Sequence, residues 1–310
     1  MVCDARARRS DPIDPARATV GSLGMAEISD LDQPQLCAAF LAMHHGAEPF
    51  VMANAWDGGS ARLCEVMGFP ALATTSSGSA LRGGRLDYGI DLDTSLAIAA
   101  EMAAAVHIPV SVDFEDGFAL DANQVAANFT MLASTGVAGG SIEDYTRDPV
   151  RPIYGIDEAV ERVRAAVEAA HGGDARLVVA ARTELLTGRG PARDKADLLA
   201  EVVDRLQRYQ EAGADVLFAP GLRDPADIAT VISEVDRPLS VMTMPGVPTV
   251  PEMAKLGVAR VSLAGWLAYA ALDAVRVAAT EVLDEGTFEF MGSLTPIRRL
   301  VSESFTSPAG

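Results

Sequence analysis

Short apolar or β-branched runs alternate with longer alanine-rich segments, and this alternation restricts the fold of the chain more than any other feature. We predict eight strands, at residues 50–57, 71–77, 109–116, 139–145, 176–183, 216–222, 238–245 and 259–266. Helical periodicity occurs between them, at residues 60–67, 94–106, 123–135, 157–170, 195–212 and 225–234. Strands separated by helices pair in parallel, and no glycine-rich dinucleotide turn follows the first strand. The pattern therefore favours a closed (β/α)₈ TIM-type barrel over an open doubly wound sheet.

One such barrel accounts for most of the 310 residues, because this fold takes about 250 residues and no linker divides the chain. We assign residues 29–285 to the barrel, residues 1–28 to a flexible N-terminal extension and residues 286–310 to a C-terminal tail. The extension has arginine, aspartate and proline but no apolar segment of signal-peptide length. We therefore do not expect it to be a targeting signal.

The charge of the chain limits the partners it can have. There are 25 basic and 43 acidic residues, a formal net charge of -18. A surface this acidic repels nucleic-acid phosphates and anionic lipids, and no run of about 20 apolar residues is present to span a membrane. A small anionic metabolite remains compatible, since a metal ion or a local arginine can reverse the field inside one pocket. The three widely spaced cysteines (Cys3, Cys37 and Cys64) predict a cytoplasmic protein without disulfides.

Carboxylates follow the third and fourth predicted strands. Asp113 and Glu115 are two residues apart, so on a strand both would point to the same face, and Glu143 closes the next strand. Active sites of such barrels lie at the carboxyl ends of the strands. Three carboxylates there would repel one another unless a cation lay among them, and hard oxygen ligands suit Mg²⁺ or Mn²⁺, partly through water. The alternative is that Asp116 and Asp144 cap loops while the other acidic side chains face solvent.

Arg182 ends the fifth predicted strand, where a guanidinium group can hold a carboxylate or a phosphoryl group. It can equally form an internal ion pair with Glu184 or Glu143. The segment 74–80, TTSSGSA, is rich in hydroxyl groups and can seat an anion. No histidine falls at a carboxyl strand end and no Ser–His or Cys–His pair is indicated. Proton transfer is therefore expected to use carboxylates, Tyr145 or metal-bound water.

Six segments together carry a family resemblance. They are NAWDGGSAR (54–62), GFPALATTS (68–76), SVDFEDG (111–117), GGSIED (139–144), ARTE (181–184) and AGADVLFAPG (212–221). In this order they resemble the isocitrate lyase / phosphoenolpyruvate mutase superfamily, in its phosphoenolpyruvate mutase-like branch. The resemblance implies metal ligands at Asp113, Glu115, Glu143 and Asp87, and substrate-binding residues at Trp56, Ser76, Ser77, Gly78 and Arg182. Together with the proton-transfer argument, it makes Arg182, Glu143 and Tyr145 the expected catalytic residues.

The resemblance also implies a reaction. It indicates a Mg²⁺-dependent lyase that cleaves a C–C bond of a small 2-oxo or 2-hydroxy (di)carboxylic acid by way of a metal-bound enolate. The chain departs from the lyases at residues 145–155, where YTRDPVRPIYG replaces a Lys-Lys-Cys-Gly-His loop. The cysteine acid of the lyases is absent, as is the asparagine of the mutases, which argues against isocitrate or methylisocitrate cleavage. Two alternatives stay open: a phosphonopyruvate-type P–C mutase or hydrolase, and a non-catalytic metabolite-binding member.

A homodimer or homotetramer is the last expectation. Residues 267–283, LAYAALDAVRVAATEVL, predict an amphipathic helix. The resemblance implies that this helix is exchanged between subunits. The alternative is an eighth barrel helix that packs on its own chain.

Overall fold

The computed structural model describes residues 31–190 and 193–305, and these form a closed barrel of eight parallel strands paired in chain order. The strands are β1 (Phe50–Asn54), β2 (Leu72–Ala73), β3 (Val110–Asp113), β4 (Gly139–Glu143), β5 (Val178–Arg182), β6 (Val216–Phe218), β7 (Leu239–Met242) and β8 (Arg260–Ser262). The predicted (β/α)₈ TIM-type barrel is thereby confirmed. The extension predicted at residues 1–28 lies outside the described residues.

Helices surround the barrel. They are α1 (Gln33–His44), α2 (Gly58–Val66), α3 (Ser76–Arg82), α4 (Leu92–Ala105), α5 (Ala122–Ala133), α6 (Ile156–His171), α7 (Lys195–Glu211), α8 (Pro225–Glu234), α9 (Val250–Leu256), α10 (Trp266–Glu285) and α11 (Thr295–Ser304). The six predicted helices are present, with ends that differ by at most two residues. Helices α1, α3, α9 and α11 are not among the predicted ranges. Among the helices of the described residues, none has the length and apolar character needed to cross a bilayer.

The strands are shorter than predicted at their carboxyl ends. β2 ends at Ala73 because Thr75 then caps α3, where the Thr75 side chain accepts a hydrogen bond from the Gly78 N–H. β3 ends at Asp113, and the chain turns through left-handed backbone at Glu115 (φ 48°) and Gly117 (φ 77°). The polar residues that follow each strand are therefore in loops and helix starts instead of in the sheet.

Helix α1 covers the amino-terminal end of the barrel. Phe40 and His44 of α1 pack edge-on, with ring centroids 4.7 Å apart, and His44 also meets the Phe50 ring at 5.0 Å. Gly139, the first residue of β4, makes room for this packing. A Cβ atom there would lie 3.1 Å from the Phe40 ring and 2.5 Å from the Val178 carbonyl oxygen. The barrel interior is thus sealed by side chains at the end opposite the predicted site.

The C-terminal segment is helical and carries exposed apolar side chains. Residues 286–310, predicted as a tail, contain a 3₁₀ helix (Glu289–Leu294) and α11, while residues 306–310 lie outside the described part. The exposed side chains of α10 and of this segment are Trp266, Tyr269, Leu272, Val275, Val277, Leu283, Phe288, Met291, Leu294, Ile297 and Val301. An apolar surface of this extent is typical of a contact between subunits.

We expect the protein to be a homodimer or homotetramer whose contact includes α10. Light scattering at micromolar concentration should give a mass at least twice the 32.4 kDa of the chain. Replacing Leu272 and Val275 with aspartate should shift that mass towards the monomer, because it places charge in an apolar contact. A matched control is Leu120→Asp, which changes an exposed leucine in the loop before α5. A monomeric wild type would exclude helix exchange.

Candidate active site

A cavity of about 310 Å³ lies inside the barrel and reaches its carboxyl end. Polar side chains that line it near the carboxyl end of the strands include Ser76, Ser77, Asp87, Asp113, Arg182, Glu184 and Arg189. Five of the predicted site residues are thus brought together at one wall: Ser76, Ser77, Asp87, Asp113 and Arg182. The cavity continues down the barrel past Ser111 to Arg260, which lies at the amino-terminal end of β8.

Asp113 is held in place from two sides. Its Oδ2 accepts a hydrogen bond from the Ser76 N–H at 2.9 Å, and its Oδ1 lies 3.3 Å from Nη1 of Arg182. Its own N–H donates to the Thr74 hydroxyl at 2.9 Å. A second carboxylate, Asp87, lines the same cavity; burial and the nearby charge of Asp113 raise its pKa. The Asp113 charge therefore disfavours the ionised form of Asp87, and both side chains face the same water-accessible space.

Glu115 and Glu143 do not line the cavity, and the expected shared facing of Asp113 and Glu115 is wrong. Because β3 ends at Asp113, Glu115 turns away from the strand direction, and its Oε2 lies 3.4 Å from Nη1 of Arg147. Burial and Asp113 raise the pKa of Glu115 to about 8. Glu143 accepts a hydrogen bond from the Tyr88 hydroxyl at 2.7 Å, and burial raises its pKa.

Arg182 is enclosed by carboxylates. It pairs with Glu184, with Glu143 at 3.2 Å and with Asp113 at 3.3 Å. Burial alone would lower the pKa of Arg182, but Glu184 and Glu143 hold it well above its usual range. The internal ion pair considered from the sequence is therefore present. A role of Arg182 in holding substrate stays a prediction, which its position on the cavity wall supports.

Tyr145, Trp56 and Gly78 lie outside the cavity lining. The Tyr145 ring packs against Tyr88 at 5.1 Å, and the guanidinium carbon of Arg189 lies 4.6 Å from both ring centroids. Gly78 is inside α3, where a Cβ atom would come within 3.3 Å of the Trp56 Cβ. Tyr145 thus contacts the site through Arg189, while Gly78 leaves space for Trp56. Their predicted catalytic and substrate-binding roles remain predictions.

The two acidic residues considered as loop caps have structural partners. Asp116 accepts a hydrogen bond from the Phe118 N–H at 3.1 Å and pairs with Arg147 at 3.0 Å. Asp144 is buried, pairs with Arg205 at 3.1 Å and accepts a hydrogen bond from the Tyr209 hydroxyl at 2.9 Å. Asp116 is thereby confirmed as a loop cap, and Asp144 is tied to helix α7.

Three charged residues of the cavity wall were not identified as site residues from the sequence. Glu184 was considered only as a partner of Arg182, although it also lies 3.3 Å from Nε of Arg189. Arg189 follows β5 by seven residues, so a search of the carboxyl-end loops would have found it. Arg260 begins a strand, at the end of the barrel where sequence reasoning expects packing.

A family model described as phosphoenolpyruvate phosphomutase matches residues 40–283, which is most of the chain. The chain belongs to the phosphoenolpyruvate phosphomutase family. This confirms the resemblance seen in the six sequence segments.

Members of the phosphoenolpyruvate phosphomutase family with several different names are similar to this chain. An uncharacterized protein of Mycobacterium tuberculosis is 32% identical over 247 residues, which is 79% of this chain and 89% of that protein. The 2-methylisocitrate lyase of Salmonella typhimurium is 31% identical over 207 residues, covering 62% of this chain and 67% of the lyase. A crystal structure of a candidate lyase/mutase from Burkholderia cenocepacia has a TM-score of 0.83 at 42% identity, covering 89% of this chain and 98% of that one.

The two cysteines in the described part of this chain lie outside the cavity lining. Cys37 and Cys64 are buried and free, and burial raises the pKa of each thiol to about 11. Neither lines the cavity, and Cys3 lies outside the described residues. Neither of these two thiols is therefore placed to protonate a departing group.

The acidic side chains of this site suit a Mg²⁺ ion that keeps several water ligands, and not a metal ion that is coordinated by carboxylates on all sides. Within residues 31–190 and 193–305, no three His, Cys, Asp or Glu side chains are grouped so as to bind one metal ion. Asp113, Glu115 and Glu143 do not form such a compact group, because Arg147 and Arg182 contact the two glutamates, and their predicted binding of Mg²⁺ or Mn²⁺, partly through water, stays a prediction. Mg²⁺ in enzymes is commonly bound by one or two carboxylates and otherwise by water and substrate. Asp113 and Asp87 on the cavity wall meet that requirement.

Proposed function

We propose that this protein is a Mg²⁺-dependent lyase that cleaves a C–C bond of a small 2-oxo or 2-hydroxy (di)carboxylic acid. The observation that supports this most is the Asp113 carboxylate, which faces the cavity between the Ser76 N–H and Arg182. Mg²⁺ at Asp113 and Asp87 would act as a Lewis acid towards the charge that develops when the bond breaks. The lyase name of the Salmonella relative supports the same reaction class.

The side chains of the chain itself prepare the cavity for an anion. Arg182 and Arg189 supply positive charge on the wall of a protein whose net charge is -18. Glu184 contacts both arginines and is fully buried, so it fixes their positions relative to each other. Preorganised charges in a water-poor site act more strongly than the same charges in water.

A proton for the product can be held beside Arg182. Burial raises the pKa of Glu143, which favours its protonated form, and the Tyr88 hydroxyl is 2.7 Å away. We assign the proton-holding role to this Glu143–Tyr88 pair, which lies behind the cavity wall, where Glu143 is 3.2 Å from the wall residue Arg182. Tyr145 packs on Tyr88 and keeps its predicted role as part of the same group.

A second candidate function is P–C bond chemistry on phosphonopyruvate-type substrates. It is favoured by the family model, whose description is phosphoenolpyruvate phosphomutase. A non-catalytic metabolite-binding role is the third possibility, since the 145–155 segment departs from the sequence of the lyases.

The deciding experiment is a substrate screen. Purified protein, with Mg²⁺ or with EDTA, is incubated with 2-oxo and 2-hydroxy mono- and dicarboxylic acids and with phosphonates. We expect Mg²⁺-dependent C–C cleavage of at least one acid and no cleavage in EDTA. Turnover of phosphonates alone would replace the lyase by the P–C enzyme. Saturable binding without turnover of any compound would indicate the non-catalytic member.

A further inference from the structure

Arg260 is a buried arginine at the inner end of the cavity. It is the first residue of β8, is 2% exposed and lines the cavity wall. Its Nε donates a hydrogen bond to the Ser240 hydroxyl at 2.9 Å, and its Nη1 lies 3.3 Å from Nε2 of His44. Its guanidinium carbon lies 5.7 Å from the centroid of the Phe218 ring.

The partners of Arg260 are all neutral. Burial and the charge of Arg260 lower the pKa of His44 well below its usual value, so this imidazole is uncharged at neutral pH. Nδ1 of His44 is 2.8 Å from the Phe40 carbonyl and donates to it, which leaves Nε2 to accept from Arg260. Burial lowers the pKa of Arg260 to about 10, so the guanidinium group still carries its charge at neutral pH.

Two other enclosed arginines, Arg182 on the cavity wall and Arg205 away from the cavity, differ in this respect. Arg182 pairs with three carboxylates, and Arg205 pairs with Asp144 and Glu201. In the described part of the chain, Arg260 forms no ion pair with any carboxylate. A buried cation without a counter-ion is costly, and an anion that enters the cavity removes that cost.

We infer that Arg260 binds a second anionic group of the substrate, so that the cavity selects small dicarboxylates over monocarboxylates. The inference rests on the proposed function, because it assumes that the first carboxylate lies near Asp113 at the other end of the cavity. The Phe218 ring lies near both Arg182 and Arg260, one at each end of the cavity. The guanidinium carbons of Arg182 and Arg260 lie 5.3 and 5.7 Å from its ring centroid, which together limit their separation to 11.0 Å.

A four- or five-carbon chain with a carboxylate at each end can bridge such a distance, once charge-assisted hydrogen bonds of about 2.8 Å are added. The side chains between the two ends include Met52, Val112 and Phe218, which offer no charge to an anion. A monocarboxylate bound near Asp113 would therefore leave Arg260 without a counter-ion. A dicarboxylate satisfies both ends.

Calorimetric binding to the protein in the presence of Mg²⁺ tests this inference without requiring turnover. The first comparison is between the affinities of the wild-type protein for succinate and for monomethyl succinate. These two ligands have nearly the same shape and differ by one charge. We expect the monoester to bind about 30-fold more weakly, the loss typical of leaving one buried charge unpaired. Equal affinities would overturn the inference whether or not any variant folds.

Arg260→Met, which removes the charge but keeps an unbranched apolar side chain, gives the second result. We expect it to weaken succinate binding by about 30-fold and to leave the monoester nearly unchanged. The control Arg176→Met removes a half-exposed arginine that pairs with Asp215 outside the cavity, and it should bind both ligands as the wild type does. Undiminished succinate binding by Arg260→Met would contradict the inference.

Sodium chloride distinguishes a substrate carboxylate from a resident inorganic anion. If chloride stabilises the wild type and not Arg260→Met, while succinate binds both equally, then Arg260 holds a small ion and does not select substrate.

Failure of the proposed lyase function can be distinguished from failure of the Arg260 inference. If succinate binding depends on Arg260 but no acid is turned over, the lyase function is rejected and the dicarboxylate site is retained. If monocarboxylates and dicarboxylates are turned over with equal kcat/KM, the lyase function is retained and selection by Arg260 is rejected.

Discussion

Replacing Asp113 with alanine is expected to reduce Mg²⁺-dependent turnover by about 10³-fold or more, because a Lewis-acidic metal contributes several kcal/mol to charge stabilisation. Asp113 lines the cavity and is fixed by both the Ser76 N–H and Arg182. Its removal takes away a negative charge where the cation would lie and frees the Ser76 N–H. The measurement is kcat/KM at saturating Mg²⁺ with the substrate found in the screen.

A thermal readout accompanies this variant and does not need a substrate. Mg²⁺ with oxalate, a flat analogue of a pyruvate enolate, should raise the melting temperature of the wild type by mass action. Asp113→Ala should lose that shift, while Asp204→Ala, which changes an exposed carboxylate paired with Arg208 on α7, should keep it. No shift at millimolar ligand in the wild type, or an equal shift in Asp113→Ala, would exclude Asp113 as a metal ligand.

The barrel could be predicted from the sequence because its periodicity is local. Parallel strands that are covered on both faces appear as short apolar runs, and the intervening helices differ from them in length and in period. The strand ends could not be predicted in the same way. After Asp113 the alternating pattern continues in the sequence, yet the backbone turns, and Glu115 takes a left-handed φ of 48°. The Asp116–Gly117 pair was the nearby sequence signal for a turn.

The site could be predicted where it depends on position along a strand. Asp113 and Arg182 end β3 and β5, and both line the cavity. Arg260 could not be predicted, because its significance depends on which side chains surround it in three dimensions. An arginine that begins a strand has the same sequence signature whether its hydrogen-bond partner is a carboxylate or, as here, the neutral side chains of Ser240 and His44.

Arg182→Lys is expected to lower kcat/KM by an amount that corresponds to about 2–5 kcal/mol of transition-state stabilisation, although the charge is kept. An ammonium group cannot reproduce the planar fork with which Arg182 contacts Glu184, Glu143 and Asp113 at the same time. Asp113 would lose one of its two positioning contacts, and an anion in the cavity would meet a displaced charge. Both kcat/KM and melting temperature are measured on the purified variant.

Arg205→Lys is the matched control, because Arg205 is also a buried arginine but contacts Asp144 and Glu201 away from the cavity. We expect Arg205→Lys to lower the melting temperature and to leave kcat/KM of the folded protein nearly unchanged. If Arg182 has only a structural role, the two lysine variants should behave alike. Near-normal turnover in Arg182→Lys would therefore remove Arg182 from the catalytic group and leave Asp113 to be oriented by the Ser76 N–H alone.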